Sequence, residues 1–349
     1  MKCVVLAGAG ASYAVNPKQF PTTAQFVERL PEDIKSSGLY KLILQIISEQ
    51  ADEPADIEKV LWRLLELNTH LKPLTNQQST VARAFQQNRL ARLITGDTDA
   101  VFQAAPVFVR HIELLVEEIN KVVYDLYAHM TPQNELEGNW IPLLSDLSTR
   151  CQKLYLFTTN YDRVLENAAN FVNGNKIPPK IPLHSGYING VERELDVTLW
   201  SENTLGQSLS GTTSNGLITK LHGSVDWSSE NQRVVIGGAF YKGNHARHAI
   251  LYPGLTGLPD SEPFRSFHSF FDLTLAAAEY LIVIGFAFRD DAINTSIVKA
   301  SKESGFKGVV VIDPTKTIST PPGIPANKIF HIDSGFDSSS VVLALQRLT

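Results

Sequence analysis

Cysteine is scarce: the 349 residues contain only Cys3 and Cys151. Two thiols can build neither a disulfide framework nor a four-cysteine zinc site. Both stand beside apolar runs, so they read as buried, reduced side chains. Long hydrophobic runs are also missing, since none approaches the roughly 20 residues that span a bilayer. The opening stretch MKCVVLAGAGAS carries a lone Lys and a very short apolar run, without the length or cleavage site of a signal peptide. A cytoplasmic, soluble protein without a membrane partner is the expectation. Excess positive charge is absent too: the formal net charge is −5 and the pI about 6.0. The chain therefore lacks the global basic field that announces nucleic-acid binding, and no direct binding of that kind is expected. No internal repeat and no low-complexity tract interrupts it.

What is present is an ordinary globular composition, 43% hydrophobic and 19% charged, enough to build a packed core. At this length, one large domain with an insertion, or two domains, is expected. Residues 2–7 read as a short buried strand closed by Gly8-Ala9-Gly10. A helical segment near Pro21–Leu30 follows, with Pro21 or Thr22 suited to its start. From about Pro31 the pattern becomes helical. Ile57, Val60, Leu61, Leu64 and Leu65 fall on one helical face, and Phe108, Ile112, Leu115, Val116, Ile119, Val122, Val123 and Leu126 on another. Residues 31–140 are therefore read as a mainly helical insertion, with the polar piece between 70 and 100 least defined. Strands return at 154–159 and 217–221. The stretch 173–215, rich in Gly, Pro, Asn and Ser, reads as long loops or a small lobe. In the last ninety residues, apolar strands at 281–285, 309–312 and 329–332 alternate with helices at 262–279, at 291–303 and at the C-terminus. Continuously apolar strands alternating with helices imply an α/β fold, a doubly wound, Rossmann-like parallel sheet. Residues 1–30 and 141–349 would form it.

Ligands in such a sheet bind beyond the carboxyl ends of the strands, so the residues after each strand are the candidates. Gly8, Ala9, Gly10 and Ser12 form a glycine turn that could let a pyrophosphate approach, although Tyr13 stands where the dinucleotide fingerprint wants a third glycine. A tight strand-to-helix turn explains the same residues. Thr158, Thr159, Asn160 and Asp162 put a carboxamide and a carboxylate two residues apart after a buried strand. Helix capping by Asn160 and Asp162 is the competing explanation. His222, before the flexible Gly223, could accept a proton from a ribose hydroxyl or a water. Gly285 and Phe286 end another strand, with Asp290 or Asp291 suited to cap the next helix. Asp313 could bind an adenosine ribose hydroxyl, and Asp-Pro is also a common turn initiator. His245, His248 and His268 lack compact metal-ligand spacing and read as surface histidines; no metal site is expected.

In this order the segments resemble the sirtuin superfamily. Its Gly-Ala-Gly-x-Ser turn is matched by Gly8 to Ser12. Its Thr-Gln-Asn-x-Asp is matched by Thr158 to Asp162, with Thr159 in place of the glutamine. Its His-Gly is matched by His222-Gly223, and its Gly-rich strand end by Gly285 to Phe288. Three departures stand out. The four-cysteine zinc module cannot form, so no zinc is expected. Phe20-Pro21-Thr22-Thr23 stands near where Pro-Asp-Phe-Arg belongs. The helical insertion has no counterpart of its kind in the deacetylases. These departures look like the bacterial sirtuin-like proteins of anti-phage defence. That resemblance implies an NAD hydrolase that depletes NAD, a homo-oligomer, and a HerA-type ATPase as partner. It also implies roles: Gly8, Ala9, Gly10, Ser12, Thr158, Thr159, Gly285, Phe286 and Asp313 would hold NAD. Asn160 would position ribose hydroxyls or water, His222 would accept a proton, and Asp162 would orient the nicotinamide amide or stabilise positive charge. Protein deacylation, ADP-ribosyl transfer and a non-catalytic NAD or ADP-ribose sensor stay open; a nuclease finds no metal-binding pattern in the carboxylates.

Overall fold

The structure is a computed structural model. It describes residues 1–50, 56–75, 98–174, 183–184, 193–195, 216–230, 233–236, 247–252, 261–315 and 320–348. Most of the stretch 173–215, and residues 76–97 of the polar piece, lie outside the described residues. The strands are β1 (Lys2–Ala7), β2 (Lys153–Thr158), β3 (Leu183–His184), β4 (Arg193–Glu194), β5 (Gly216–Lys220), β6 (Gly223–Glu230), β7 (Arg233–Ile236), β8 (Arg247–Ile250), β9 (Tyr280–Ile284), β10 (Gly308–Ile312) and β11 (Ile329–Ile332). The helices are α1 (Ala9–Val15), α2 (Thr23–Arg29), α3 (Glu32–Ser36), α4 (Gly38–Gln50), α5 (Ile57–Leu71), α6 (Thr98–Tyr127), α7 (Gln133–Leu136), α8 (Trp140–Arg150), α9 (Val164–Gly174), α10 (Phe264–Ala276), α11 (Asp291–Ser301) and α12 (Ser338–Gln346).

Strand β1 is KCVVLA, and every residue after Lys2 is buried. Strands β9 and β10, YLIVI and GVVVI, are buried throughout. Such strands have no solvent face, so helices must cover both sides. The main sheet runs β11-β10-β9-β1-β2-β5-β3, and every neighbouring pair is parallel. The two-residue side-chain period divides the core. Cys3, Val5 and Ala7 join Leu143 and Leu147 of α8, Ala168 of α9 and Val341 of α12. Val4 and Leu6 join Phe267 and Phe271 of α10 and Ile297 of α11 on the other face. From β1 the chain proceeds to β2 and β5 on one side and returns through β9, β10 and β11 on the other. The doubly wound, Rossmann-like sheet expected from the sequence is thus observed, and its winding reverses at β1. The crevice of such a sheet opens beyond the carboxyl ends of the strands flanking that reversal.

A second sheet, antiparallel in the order β4-β7-β6-β8, was not foreseen. Its longest strand, GSVDWSSE, carries only Val225 and Trp227 as apolar buried residues among serines, too sparse a pattern to read as a strand.

The chain divides into two compact units. One comprises Met1–Thr22, Leu126–Leu251 and Leu255–Thr349 and holds the main sheet. The other runs over Thr23–Asp125 with Tyr252 and is helical. Asp56 caps α5 by accepting from the Lys59 amide, and Ile57, Val60, Leu61 and Leu64 form its buried stripe. Leu65, expected on that stripe, is exposed at 38%, because it sits one position past the stripe's edge. In α6, Ile112, Leu115, Ile119 and Val123 are buried; Phe108, Val116, Val122 and Leu126 are only half-buried, and Val109 lies inside instead.

Among the described residues, no helix is long and apolar enough to cross a membrane.

Candidate active site

The carboxyl ends of β1, β2, β5 and β9 are laced together by their loops. Gly8 donates its amide to the Ile284 carbonyl and Gly10 to the Gly285 carbonyl, both at 2.9 Å. A Cβ on Gly8 would stand 2.6 Å from the Gly285 oxygen, and one on Gly10 2.8 Å from the Gly285 Cα. Gly285 itself has φ +56°, and a Cβ there would meet the Ala11 nitrogen at 2.4 Å. These glycines exist because two strand-end turns interlock backbone to backbone. The amides of Gly8, Gly10 and Ala11 are already donated within the protein and are not open phosphate donors. Ala9 and Gly10 are half-buried, with Gly8 beneath them.

The loop after β2 is held by Thr158. Its hydroxyl donates to the Ala7 carbonyl at 3.2 Å and accepts the Asn160 amide at 3.0 Å. Thr159 donates its own amide to Ala7. Asn160 is no helix cap, since α9 begins only at Val164. Its amide group instead donates to the Gly8 carbonyl and to Ser12 Oγ, each at 2.8 Å. What Asn160 can offer a ligand is therefore its carbonyl oxygen, an acceptor for a hydroxyl or a water. Ser12, expected beneath a pyrophosphate, is 3% exposed and donates its hydroxyl to the Asp162 carboxylate. The relay Asn160–Ser12–Asp162 gives each group a partner of the right polarity. Asp162 also accepts the Val164 amide at 2.9 Å, so the expectation that it would serve the start of the helix is met. Burial pushes its carboxyl up, against the pull of Lys220 and Ser12.

Strand β5 ends in Lys220, a residue the sequence reading passed over. It is 2% exposed, and its Nζ lies 3.0 Å from Glu166 Oε1 and donates to the Asp162 carbonyl. Burial pushes the Glu166 carboxyl up while Lys220 pulls it down. A lysine closing an apolar strand is rare enough to have been a signal, since lysines are seldom fully buried without a partner.

His222 follows, 3% exposed. Its Nε2 lies 3.1 Å from Asp290 Oδ2, and its Nδ1 has no hydrogen-bond partner among the described residues. Gly223 is not flexible, as expected, but locked: φ is +83°, and a Cβ would meet the Ala249 oxygen at 2.0 Å. The Leu251 amide donates to the His222 carbonyl, and Leu221 donates to Thr158, fixing the ring beside the Asn160 loop. His268 stacks on His222 with ring centroids 6.3 Å apart. It is 4% exposed, which overturns its reading as a surface histidine. His248 lies in β8, and His245 lies outside the described residues. Among the described residues no cluster of His, Cys, Asp and Glu has metal-binding geometry. Asp290 caps α11 through Oδ1, as the sequence suggested. Its second oxygen, turned on His222, was not foreseen.

Phe286 is buried, its ring edge-on to Phe288 at 5.3 Å. Asp313 lies at the end of β10, buried, with Oδ1 accepting the Thr315 amide at 2.8 Å. It is thus the turn former that Asp-Pro suggested, two strands from β1.

Residues 155–325 match a family model described as a SIR2-like domain. That span contains Asn160, Asp162, His222, Gly285 and Asp313. No curated protein matches the chain. Among solved structures, a mutant Sir2 homologue in complex with 2′-O-acetyl-ADP-ribose aligns at TM-score 0.44 and 13% identity, over 100% of this chain and 93% of that one. A Sir2 homologue–NAD complex aligns at TM-score 0.38 and 13% identity, over 100% and 91%. Sir2 bound to an acetylated peptide aligns at 0.40 and 12%, over 99% and 91%. The observed strand order, not these distant alignments, carries the fold assignment.

Proposed function

We propose that this chain, with its SIR2-like domain, hydrolyses NAD at the nicotinamide–ribose bond. The observation that carries the reading is the buried trio at the ends of β2 and β5. A carboxamide oxygen, a carboxylate and an imidazole with an unpartnered Nδ1 are held there by groups that leave them little freedom. A buried polar atom without a protein partner is costly, so a ligand or water that supplies the missing partner is favoured there. In the reaction the ribose C1′–nitrogen bond breaks and its electron pair stays on nicotinamide, which leaves neutral. Water bonds to C1′ and gives its proton to His222 Nδ1. The products are nicotinamide, ADP-ribose and a proton. Asn160 positions a ribose hydroxyl or the water through its oxygen. Asp162, beside the oxocarbenium character that develops at C1′, stabilises that charge or orients the nicotinamide amide. The dinucleotide would lie along Ala9–Gly10, Thr159, Gly285 and Phe286 towards Asp313, with Gly8, Ser12 and Thr158 shaping the floor.

Such an activity suits an NAD-depleting effector of anti-phage defence, and it needs restraint. We assign that restraint to the helical unit, where Leu42, Leu65, Val107 and Leu114 are exposed apolar side chains. Self-association or a HerA-type ATPase would act there.

Purified protein incubated with NAD, with nicotinamide and ADP-ribose separated by chromatography, tests the reaction. We expect both products in equal amounts. Release should fall about 10²–10⁴-fold in His222→Ala and comparably in Asn160→Ala, with folding retained. Nicotinamide without free ADP-ribose would mean transfer or deacylation instead. Unchanged hydrolysis in both variants would refute the assignment of the site.

A further inference from the structure

The two nitrogens of His222 keep different company. Nε2 faces Asp290 Oδ2 at 3.1 Å, while Nδ1 is buried and unpartnered among the described residues. Asp290 divides two tasks between its oxygens. Oδ1 accepts the Ile293 amide at 3.0 Å and caps α11. Capping alone would be served by Ser, Thr or Asn. It does not require a second oxygen aimed at an imidazole 68 positions earlier in the chain.

The loop that carries Asp290 is held with some strain. Phe288 has φ +54°, in the left-handed region where a residue with a side chain loses about 1–2 kcal/mol. Its ring is buried against Phe286, and its carbonyl accepts Asn294 Nδ2 at 2.7 Å. Strain of this kind persists where surrounding structure over-determines a position. Here it delivers one carboxylate to one ring.

Among the described residues, the titratable groups against His222 are Asp290, from the start of α11, and His268, from α10. Burial, followed by the charge of His222, lowers His268 to about 4, despite its hydrogen bond to the Leu221 carbonyl. An imidazole that binds a proton only near pH 4 is too weak a base for neutral solution. Burial pushes the Asp290 carboxyl up, but the hydrogen bond and charge of His222, the Ile293 amide and the charge of His268 together hold it below the usual carboxylate range.

We infer that Asp290 is the positioning residue of this site: it binds the Nε2 proton of His222 and so presents Nδ1, with its lone pair, as the atom that accepts the reaction's proton. A neutral imidazole has one N–H, and a carboxylate can only accept. With that hydrogen on Nε2, Nδ1 is bare. When Nδ1 takes a proton from water, the imidazolium lies against an ionised carboxylate, which itself takes up no proton. The inference rests on the reading of His222 as proton acceptor in NAD cleavage and adds which nitrogen acts and what fixes it.

The test uses the full chain with ¹⁵N-labelled histidine, in wild type, Asp290→Asn and Asp290→Ser. Serine keeps a cap for α11 and removes the carboxylate. Nitrogen shifts should show His222 protonated on Nε2 in the wild type. In Asp290→Asn, whose amide can donate to Nε2, the proton should move to Nδ1. Turnover of NAD should fall at least about 10-fold, towards the 10²–10⁴-fold of a lost general base, with KM little changed. In Asp290→Ser turnover should fall likewise with KM little changed and the chain still folded, although loss of the buried contact lowers its melting midpoint. A wild-type proton on Nδ1, or variants that turn over like wild type, would overturn the inference. If the wild type releases no nicotinamide, the cleavage reading fails on its own. The tautomer then still decides, supporting Asp290 if it switches in Asp290→Asn and overturning its role if it does not.

Discussion

The two ends of the main sheet treat charge in opposite ways. At the amino end, Glu279 meets Lys307 at 3.3 Å and the chain's terminal ammonium at 3.9 Å, with side chains 33% and 50% exposed for the lysine pair. At the carboxyl end, Lys220 meets Glu166 with exposures of 2% and 11%, and His222 meets Asp290 with 3% and 12%. Residue types and distances are similar, yet water screens one set and is excluded from the other. Cys3 and Cys151 belong to the amino end; they are buried and reduced, and their mutual hydrogen bond and burial push the Cys3 thiol up. The carboxyl end keeps polar groups dry, and dry, fixed dipoles are what a reaction with developing charge can use.

The contrast is sharpest at Lys220. Lys220→Ala would leave Glu166 and the Asp162 carbonyl buried without their cation, and breaking a buried pair typically costs about 3–5 kcal/mol. Urea unfolding at neutral pH should show a loss of that order. A loss below about 1 kcal/mol would mean that the carboxyl end is wetter than its burial implies.

Next in size is the pH response of His268. Its folded value of about 4 lies below the ordinary 6.5. Between those values the unfolded chain binds a proton that the native state refuses. Stability from this group is therefore complete above pH 6.5 and is lost as pH falls towards 4, by up to about 3 kcal/mol. Urea midpoints at pH 7 and pH 4.5 should diverge in the wild type and much less in His268→Phe. Equal divergence in both would assign the acid sensitivity elsewhere.

Glu279→Ala should give the smallest effect, under about 1 kcal/mol and weaker still at high salt. It should leave nicotinamide release unchanged. A large loss of either kind would erase the distinction between the two ends.

Much of this was legible in the chain. Strands such as YLIVI and GVVVI have no polar alternation, and only a doubly covered parallel sheet suits them. The candidate residues were singled out because they sit just past such strands. The harder part was what they touch. Asn160 reads locally as a cap, yet it hydrogen-bonds Ser12, 148 positions earlier. The glycines read as a phosphate cradle, yet they make room for Gly285. Strand β6 was missed because serines obscured its alternation.

The sequence by itself determined which segments become strands and helices and where the sheet's carboxyl ends lie, because hydrophobic period and turn residues act over a few neighbours. Tertiary structure decided the partners: Asp290 for His222, Ser12 for Asn160, Glu166 for Lys220. Partnership depends on which strands lie side by side, and that order is fixed by packing both faces of the sheet at once. No local pattern records it.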